Sequence, residues 1–189
     1  MKQPKLRISW SLMLMWKNQR YDDCVKMYLH KDMERTPQME DGILWHKKWE
    51  KEASTGKLKI GAVTLKYEAP QPEHEIVVNF DEFFDLKCRM DCYDKPQKLF
   101  DEWKTGLQNS MTYALSGQVD FYFLINKIAG TPIDLCRLTH YNQYEDKADM
   151  TIIWYDEKMI EKAINMCQTL GGEIREYFLA HNIPFEKNT

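Results

Sequence analysis

The sequence predicts a single mixed α/β domain, and three observations lead to that fold class. The chain has 189 residues, of which 43% are hydrophobic and 29% charged, so it can bury one core. The predicted elements run helices, strands, helix, strands, helix, which is typical of a central mixed β-sheet flanked by helices. No internal repeat, low-complexity tract or long linker divides residues 1–189, so one domain is expected.

The N-terminal part of this domain, residues 1–56, is predicted to be helical. Ser9 or Ser11 can cap the first helix. Residues 31–40 are charged and contain Pro37, so this segment is expected to be a connection. The apolar spacing predicts three helices, over 10–16, 21–30 and 41–53.

The remaining parts, 57–130 and 131–189, combine strands with two helices. A turn at 54–56 leads into a short strand that ends near 61, and alternating or apolar runs predict further strands at 63–67, 75–80, 83–92, 98–104, 133–141 and 148–155. Helices are predicted over 116–128 and 157–181. Gly130 should end the first of these helices, and Gly171–Gly172 should weaken the second.

Charge is distributed unevenly along the chain. Residues 1–31 carry seven Lys and Arg against Asp22 and Asp23, a net charge of +5, so the rest carries −8 of the total of −3. This asymmetry fits a protein that a polyanion approaches from one side and that has a carboxylate-rich site on the other. An ordinary basic helix pair beside an acidic body would give the same distribution.

Several locations are disfavoured by composition. No apolar run approaches the roughly 20 residues needed to cross a bilayer, so no membrane association is expected. The short apolar stretch near the start contains Ser and Trp and lacks a cleavage site, which argues against a signal peptide. The odd number of five cysteines indicates reduced thiols. We therefore expect a cytoplasmic protein, or one in the host cytoplasm if it is viral.

The segment KLFDEWKTG, residues 98–106, carries the most informative side chains. In a strand, Glu102 and Lys104 share one face, while Asp101 and Trp103 share the other. A carboxylate beside a lysine at a strand end suits a hydrolytic metal site, because the carboxylate can hold a cation and the lysine can stabilise charge.

The preceding strand adds a second carboxylate. Asp91 is predicted to share a face with Arg89 and Tyr93, and pairing through the 94–97 turn would place it beside Glu102. Two carboxylates and a lysine would form a hard-oxygen site for Mg²⁺ or Mn²⁺. A surface ladder of opposite charges would produce the same pattern.

Two helical motifs complete the set of candidates. In GILWH, Gly42 permits close packing four residues before His46, although a lone helical histidine is more often packed in a core. Gln118 and Tyr122 lie four residues apart and share a helix face that can reach one strand edge. A buried tyrosine beside a solvated glutamine is the simpler interpretation.

The order of these motifs resembles the RecB-like branch of the PD-(D/E)XK nucleases, which includes the RecB and AddB nuclease domains and small CRISPR-associated adaptation nucleases. ISWSLMLMWKNQRYDDCVKMYLH resembles the N-terminal helices of that branch, and GILWHKKWE resembles its histidine helix. CRMD stands where the branch has its strand aspartate, FDEWKTG resembles its (D/E)xKTG strand, and SGQVDFYFL its Gln-x-x-x-Tyr helix. The resemblance covers roughly residues 6–130 and implies a restriction-endonuclease-like core.

The resemblance also implies an activity: metal-dependent hydrolysis of DNA, from an end or on single strands, in recombination, phage replication or defence. It implies Mg²⁺ or Mn²⁺ as cofactor, single-stranded DNA or duplex ends as partner, and leaves a homo-oligomer or partner subunit open. Lys104 would be the catalytic lysine, with Gln118 and Tyr122 lining the site. The implied metal ligands are His46, Asp91, Glu102 and the main-chain carbonyl of Trp103.

Four basic residues near the N-terminus would contact DNA phosphates: Lys5, Arg7, Lys17 and Arg20. Trp10 and Trp16 are expected in the core, with stacking on an unpaired base as an alternative.

The sequence departs from the pattern of the branch at several points. Cys88 replaces a glycine before the strand aspartate, and Asp94 or Asp101 could compete for the metal if the register differed by one residue. Many relatives hold an iron–sulfur cluster through one early and three late cysteines, but only Cys136 and Cys167 lie late here, so no cluster is expected.

Cys24, at the early cysteine position, is interpreted instead as a buried core thiol. A catalytically silent nucleic-acid- or protein-binding module on the same fold is the alternative function. An interaction protein in which these residues only stabilise the sheet is a third.

Overall fold

A mixed β-sheet organises the computed structural model, which describes residues 5–30, 35–131 and 133–185. The strands are β1 Leu6–Ser9, β2 Lys57–Ile60, β3 Val63–Lys66, β4 Pro70–Asn79, β5 Phe84–Asp94, β6 Leu99–Thr105, β7 Leu135–Asn142 and β8 Lys147–Trp154. The helices are α1 Trp10–Lys17, α2 Tyr21–Tyr28, α3 Pro37–Ala53, α4 Ser110–Ala114, α5 Gln118–Ala129 and α6 Glu157–Ala180. The predicted mixed α/β fold with a central sheet flanked by helices is confirmed.

The central strand β5 determines where the sheet opens. Along one edge it pairs antiparallel with β4. Along the other edge it pairs parallel with β1 over residues 84–87 and antiparallel with β6 over residues 92–94. The sheet then continues through a parallel β6–β7 pair and an antiparallel β7–β8 pair. Residues 88–91 of β5 therefore face a gap between β1 and β6.

Two hydrophobic clusters cover the faces of the sheet. The larger cluster joins the sheet to α1, α2, α5 and α6, and includes Phe100, Phe121 and Phe178. The smaller cluster lies under α3 and the β2–β3 hairpin, and includes Trp49 and Trp103. The gap beside β5 therefore lies between a helix of each layer, α3 and α5.

The cysteines and the early tryptophans lie where a core role predicts. All five cysteines are buried, including Cys24, so its assignment as a core thiol is confirmed. Trp10 and Trp16 are 6% and 8% exposed. The Trp16 indole N–H donates to Glu173 at 2.8 Å, and its ring contacts those of Tyr21 and Tyr177. These contacts place both tryptophans in the core.

The third helix begins earlier than the sequence predicted. The segment 31–40 was expected to be a connection, but α3 starts at Pro37. Thr36 is the N-cap residue, and its side chain accepts a hydrogen bond from the Met39 N–H at 3.3 Å. Proline suits the first turn of a helix because its missing N–H would have no intrahelical partner there. Residues 31–34 of the expected connection lie outside the described residues.

Two short elements were not predicted, and one strand starts earlier than predicted. The four-residue strand β1 and the five-residue helix α4 were missed, because each is too short to show a period. Strand β4 starts at Pro70 rather than 75.

The C-terminal helix α6, Glu157–Ala180, agrees with the predicted 157–181 and continues through Gly171 and Gly172. A Cβ on Gly171 would lie 2.6 Å from Ile8 Cδ1, so this glycine allows close packing against β1. In the part of the chain that is described, no helix is both long and apolar enough to cross a membrane.

Candidate active site

A cleft of about 540 Å³ opens where β5 and β6 separate, between α3 and α5. Six side chains that the sequence singled out line this cleft together. They come from four elements, α3, β5, β6 and α5, of which α3 is distant in the chain from the other three, and they meet at the gap in the sheet. They are His46, Asp91, Glu102, Lys104, Gln118 and Tyr122.

His46 reaches the cleft because α3 packs closely against the end of β6. A Cβ on Gly42 would lie 3.2 Å from Thr105 Oγ1, so a larger residue would require a shift of a few tenths of an ångström there. One turn later, His46 Nδ1 lies 3.4 Å from Asp91 Oδ1. Burial lowers the pKa of His46, but the Asp91 carboxylate more than offsets it, so the net pKa is raised.

Asp91 lies where β5 and β6 begin to diverge. Its Oδ2 accepts a hydrogen bond from the Trp103 main-chain N–H at 2.6 Å, which ties the two strands together beyond their last paired residues. Burial alone would raise the pKa of Asp91. The neighbouring His46 and Lys104 and the Trp103 N–H outweigh burial and hold this pKa below its ordinary value.

The face prediction for β5 was wrong in one respect. Met90 and Tyr93 both lie in the larger hydrophobic cluster, whereas Cys92 lies in the smaller one. Strict alternation is therefore interrupted between Asp91 and Cys92, so Tyr93 does not share the face of Asp91 as predicted. The interruption occurs beside the gap, where no described strand pairs with that edge of β5. Arg89 and Asp91 both line the cleft, which agrees with their predicted common face.

Glu102 and Lys104 form the floor of the cleft. Lys104 Nζ donates to Glu102 Oε2 at 2.9 Å, as expected for residues on one strand face. Glu102 is 1% exposed, and its Oε1 has no hydrogen-bond partner. Burial raises the pKa of Glu102 despite the opposing effect of Lys104, and the two carboxylates raise the pKa of Lys104 against its own desolvation.

Helix α5 brings two further polar groups to the floor. Its N-cap residue is Gly117, where φ is 97° and a side chain would also approach Trp10. Gln118 Nε2 then donates to Glu102 Oε2 at 2.8 Å and to the Tyr122 hydroxyl at 3.1 Å. The Tyr122 hydroxyl donates to the Arg89 carbonyl at 3.1 Å, on the part of β5 that faces the gap.

The two rival carboxylates are both engaged elsewhere. Asp101 is fully buried, and its two oxygens accept from Arg137 Nε and Nη2, each at 2.8 Å. Asp94 accepts from the Glu68 N–H at 2.7 Å and from the Gln97 amide at 2.9 Å. Both contacts bind neighbouring segments together, and neither carboxylate lines the cleft.

The four basic residues expected to contact DNA lie outside the cleft. Lys5 donates to the Asp81 carbonyl, and Arg20 pairs with Asp23 at 2.7 Å. Arg7 lines a separate cavity of about 240 Å³, and Lys17 is in the last turn of α1.

The cleft contains three charged residues that the sequence reasoning missed, Lys47, Glu50 and Glu73, and Arg89, which was placed beside Asp91 but given no role. Lys47 and Glu50 flank His46 on α3 at positions i+1 and i+4, which was the available signal.

The side chains expected to bind a metal ion are not grouped into a compact ligand set. Among residues 5–30, 35–131 and 133–185, no three His, Cys, Asp and Glu side chains are grouped closely enough to hold a metal ion. In the arrangement seen here, His46 lies beside one oxygen of Asp91, and Lys104 and Gln118 both bind one oxygen of Glu102.

No protein-family model matches the chain, and no curated protein matches it significantly. Among solved structures, a phage-related exonuclease from Haemophilus somnus 129PT is 12% identical with a TM-score of 0.56, over 86% of this chain and 82% of that one. The alkaline exonuclease LHK-Exo from Laribacter hongkongensis is 12% identical with a TM-score of 0.53, over 93% of each chain. The chain has the fold of these exonucleases.

Proposed function

We propose that the protein is a divalent-metal-dependent DNA nuclease of the RecB-like branch of the PD-(D/E)XK nucleases. The observation that carries this proposal is the convergence of His46, Asp91, Glu102 and Lys104 in the gap between β5 and β6. Two of these residues make direct contacts across elements that are distant in the chain. The exonuclease neighbours have the same fold, which supports the same interpretation.

The chemistry of the site fits a hard divalent cation. Glu102 Oε1 is a buried carboxylate oxygen without a hydrogen-bond partner, and such an atom is costly unless it receives a cation or a donor. Asp91 and Glu102 offer oxygens and His46 offers an imidazole nitrogen, a set that suits Mg²⁺ or Mn²⁺. We propose these three side chains and the Trp103 carbonyl as the ligands.

A bound Mg²⁺ or Mn²⁺ would lower the pKa of a coordinated water and neutralise charge on a phosphodiester. The protein groups would do the rest. Lys104, kept charged by its two neighbouring carboxylates, would stabilise the negative charge that develops on the scissile phosphate. Gln118 would hold Glu102 in one orientation through its amide N–H. The Tyr122 hydroxyl would in turn position Gln118, because it accepts a hydrogen bond from the Gln118 amide and donates one to the Arg89 carbonyl on β5.

The deciding experiment is cleavage of end-labelled DNA by the pure protein. Single-stranded and duplex substrates are incubated with Mn²⁺, Mg²⁺ or EDTA, and Lys104→Ala is compared with wild type. We expect metal-dependent degradation that falls at least about 100-fold in Lys104→Ala, because a transition-state charge contact is removed. Stepwise shortening from one end would identify an exonuclease.

A matched control excludes a general effect of losing a lysine. Lys127→Ala removes an exposed lysine that pairs with Glu157 at 2.6 Å, away from the cleft. It should cleave like wild type. Equal activity in Lys104→Ala and wild type would contradict the proposal. Binding of DNA without cleavage of any substrate would instead favour a catalytically silent binding module.

A further inference from the structure

An ion pair at the rim of the cleft has no role in the chemistry described so far. Arg89 Nε lies 2.9 Å from Glu73 Oε2, and both residues line the cleft. The Arg89 side chain is 63% exposed, whereas that of Glu73 is 32% exposed. The pair therefore holds a solvent-accessible guanidinium at a defined place beside the site.

The backbone of Glu73 supports a functional origin of this pair. The β4–β5 ladder pairs Pro72 with Cys92 and His74 with Met90, which puts Glu73 opposite Asp91. Glu73 has φ of 53°, a left-handed conformation that is uncommon for a residue with a side chain. Backbone strain of this kind clusters at binding and catalytic sites. Other described residues with side chains also have positive φ, but of these residues only Glu73 lines the cleft. Here it occurs directly opposite a carboxylate of the candidate metal site.

Charge balance shows what Arg89 is suited to bind. The described lining of the cleft has four carboxylates, Glu50, Glu73, Asp91 and Glu102, against three permanent cations, Lys47, Arg89 and Lys104. A phosphate strand that enters the cleft therefore depends on these cations. Arginine forms paired hydrogen bonds with phosphate oxygens and keeps its charge under all conditions.

The position of Arg89 separates it from the reacting phosphate. It lies two residues from Asp91, about 6.8 Å along the strand. Lys104, in contrast, lies on the floor beside Glu102.

We propose that Arg89 binds the DNA phosphate that neighbours the scissile phosphate on the same strand, and that Glu73 positions the Arg89 guanidinium for this contact. This inference rests on the proposed nuclease function. Arg89 is thus a substrate-binding residue and Glu73 a positioning residue. Neither residue is assigned to the chemical step.

The contact can be measured through the salt dependence of binding. A fluorescein-labelled single-stranded oligonucleotide is titrated with wild type, Arg89→Ala, Arg89→Lys and the control Lys127→Ala, with Ca²⁺ as the only divalent ion. Fluorescence anisotropy gives the Kd over a range of salt concentrations. Cleavage by the same proteins with Mg²⁺ gives KM and kcat, and circular dichroism checks folding.

We expect Arg89→Ala to raise Kd at least about tenfold, as for one lost charge-assisted hydrogen bond. The slope of log K against log salt should become shallower by about 0.7, the value for one phosphate contact on a single strand. KM should rise while kcat stays near that of wild type. Arg89→Lys should restore the slope because it restores the charge, and Lys127→Ala should behave like wild type.

Four results would overturn the inference. An unchanged salt slope in folded Arg89→Ala would mean that the guanidinium contacts no phosphate. A fall in kcat at unchanged Kd would place Arg89 at the reacting phosphate instead. Wild type that neither binds nor cleaves DNA would overturn the proposed function together with this inference. Wild-type cleavage with unaltered binding by Arg89→Ala would overturn this inference alone.

Discussion

Asp101 and Glu102 are adjacent buried acids on opposite faces of β6, so their isosteric amides test the assignment of the site. Glu102 is directed into the cleft, whereas Asp101 binds Arg137 on the other face. We expect Glu102→Gln to lose cleavage with little loss of stability. Asp101→Asn should do the reverse.

The stability cost of Asp101→Asn follows from its contacts with Arg137. Both oxygens accept at 2.8 Å, and the two side chains are 0% and 13% exposed. The amide retains one acceptor, so at least one charge-assisted hydrogen bond worth about 1.5–3 kcal/mol is lost. The guanidinium also loses its buried counter-charge, which brings the expected cost to about 2–4 kcal/mol. For a chain of this length, Tm should fall by about 4–16 °C.

Glu102→Gln removes a charge whose burial is unfavourable. The variant loses the ion pair with Lys104, but it no longer has to bury a charged carboxylate, and these two changes in the free energy of unfolding oppose each other. Glu102→Gln should therefore destabilise the protein less than Asp101→Asn does. Its effect on cleavage should be large, at least about 100-fold in kcat, because a proposed metal ligand becomes a neutral amide.

The assay pairs thermal unfolding with the rate of DNA cleavage, measured below the Tm of the less stable variant. Folded Asp101→Asn that loses cleavage as severely as Glu102→Gln would refute the assignment. It would mean that Asp101, the alternative raised by the sequence, is the metal ligand. Glu102→Gln with full activity would refute it equally.

Two stability predictions follow from other parts of the structure. Gly172→Ala should raise the free energy of unfolding by about 0.8–1.0 kcal/mol through helix propensity, since its Cβ would meet no atom within 4 Å. In Gly171→Ala the same gain should be cancelled by a clash with Ile8 Cδ1, and it should return in an Ile8→Val background, which lacks that atom. Equal urea midpoints for Gly171→Ala and Gly172→Ala would contradict this packing argument. Asp149 is partly buried, which alone would raise its pKa, but hydrogen bonds from Ser110 hold the pKa below 3.8. Asp149 therefore contributes stability that is present above pH 3.8 and lost as the pH falls below it, so the advantage of wild type over Asp149→Asn in urea should shrink between pH 7 and pH 3.

The sequence predicted which side chains lie together better than it predicted the boundaries of the elements. Side-chain alternation within β6 is local, so it correctly placed Glu102 with Lys104 and Asp101 on the other face. The i, i+4 spacing of Gln118 and Tyr122 was equally local, and their side chains do meet. The start of α3 was missed because proline was taken as a helix breaker rather than as a first-turn residue.

The sequence by itself determined the identity of the chemical groups: which strand ends carry carboxylates, which helix carries the histidine, and that a lysine shares a face with Glu102. Only the tertiary structure decided that these groups meet. It pairs β1 and β6 with different parts of one edge of β5, and so leaves the gap that α3 and α5 border. It also sets Glu73 opposite Asp91 and beside Arg89. Such contacts depend on pairing between distant segments, which the spacing of residues along the chain does not encode.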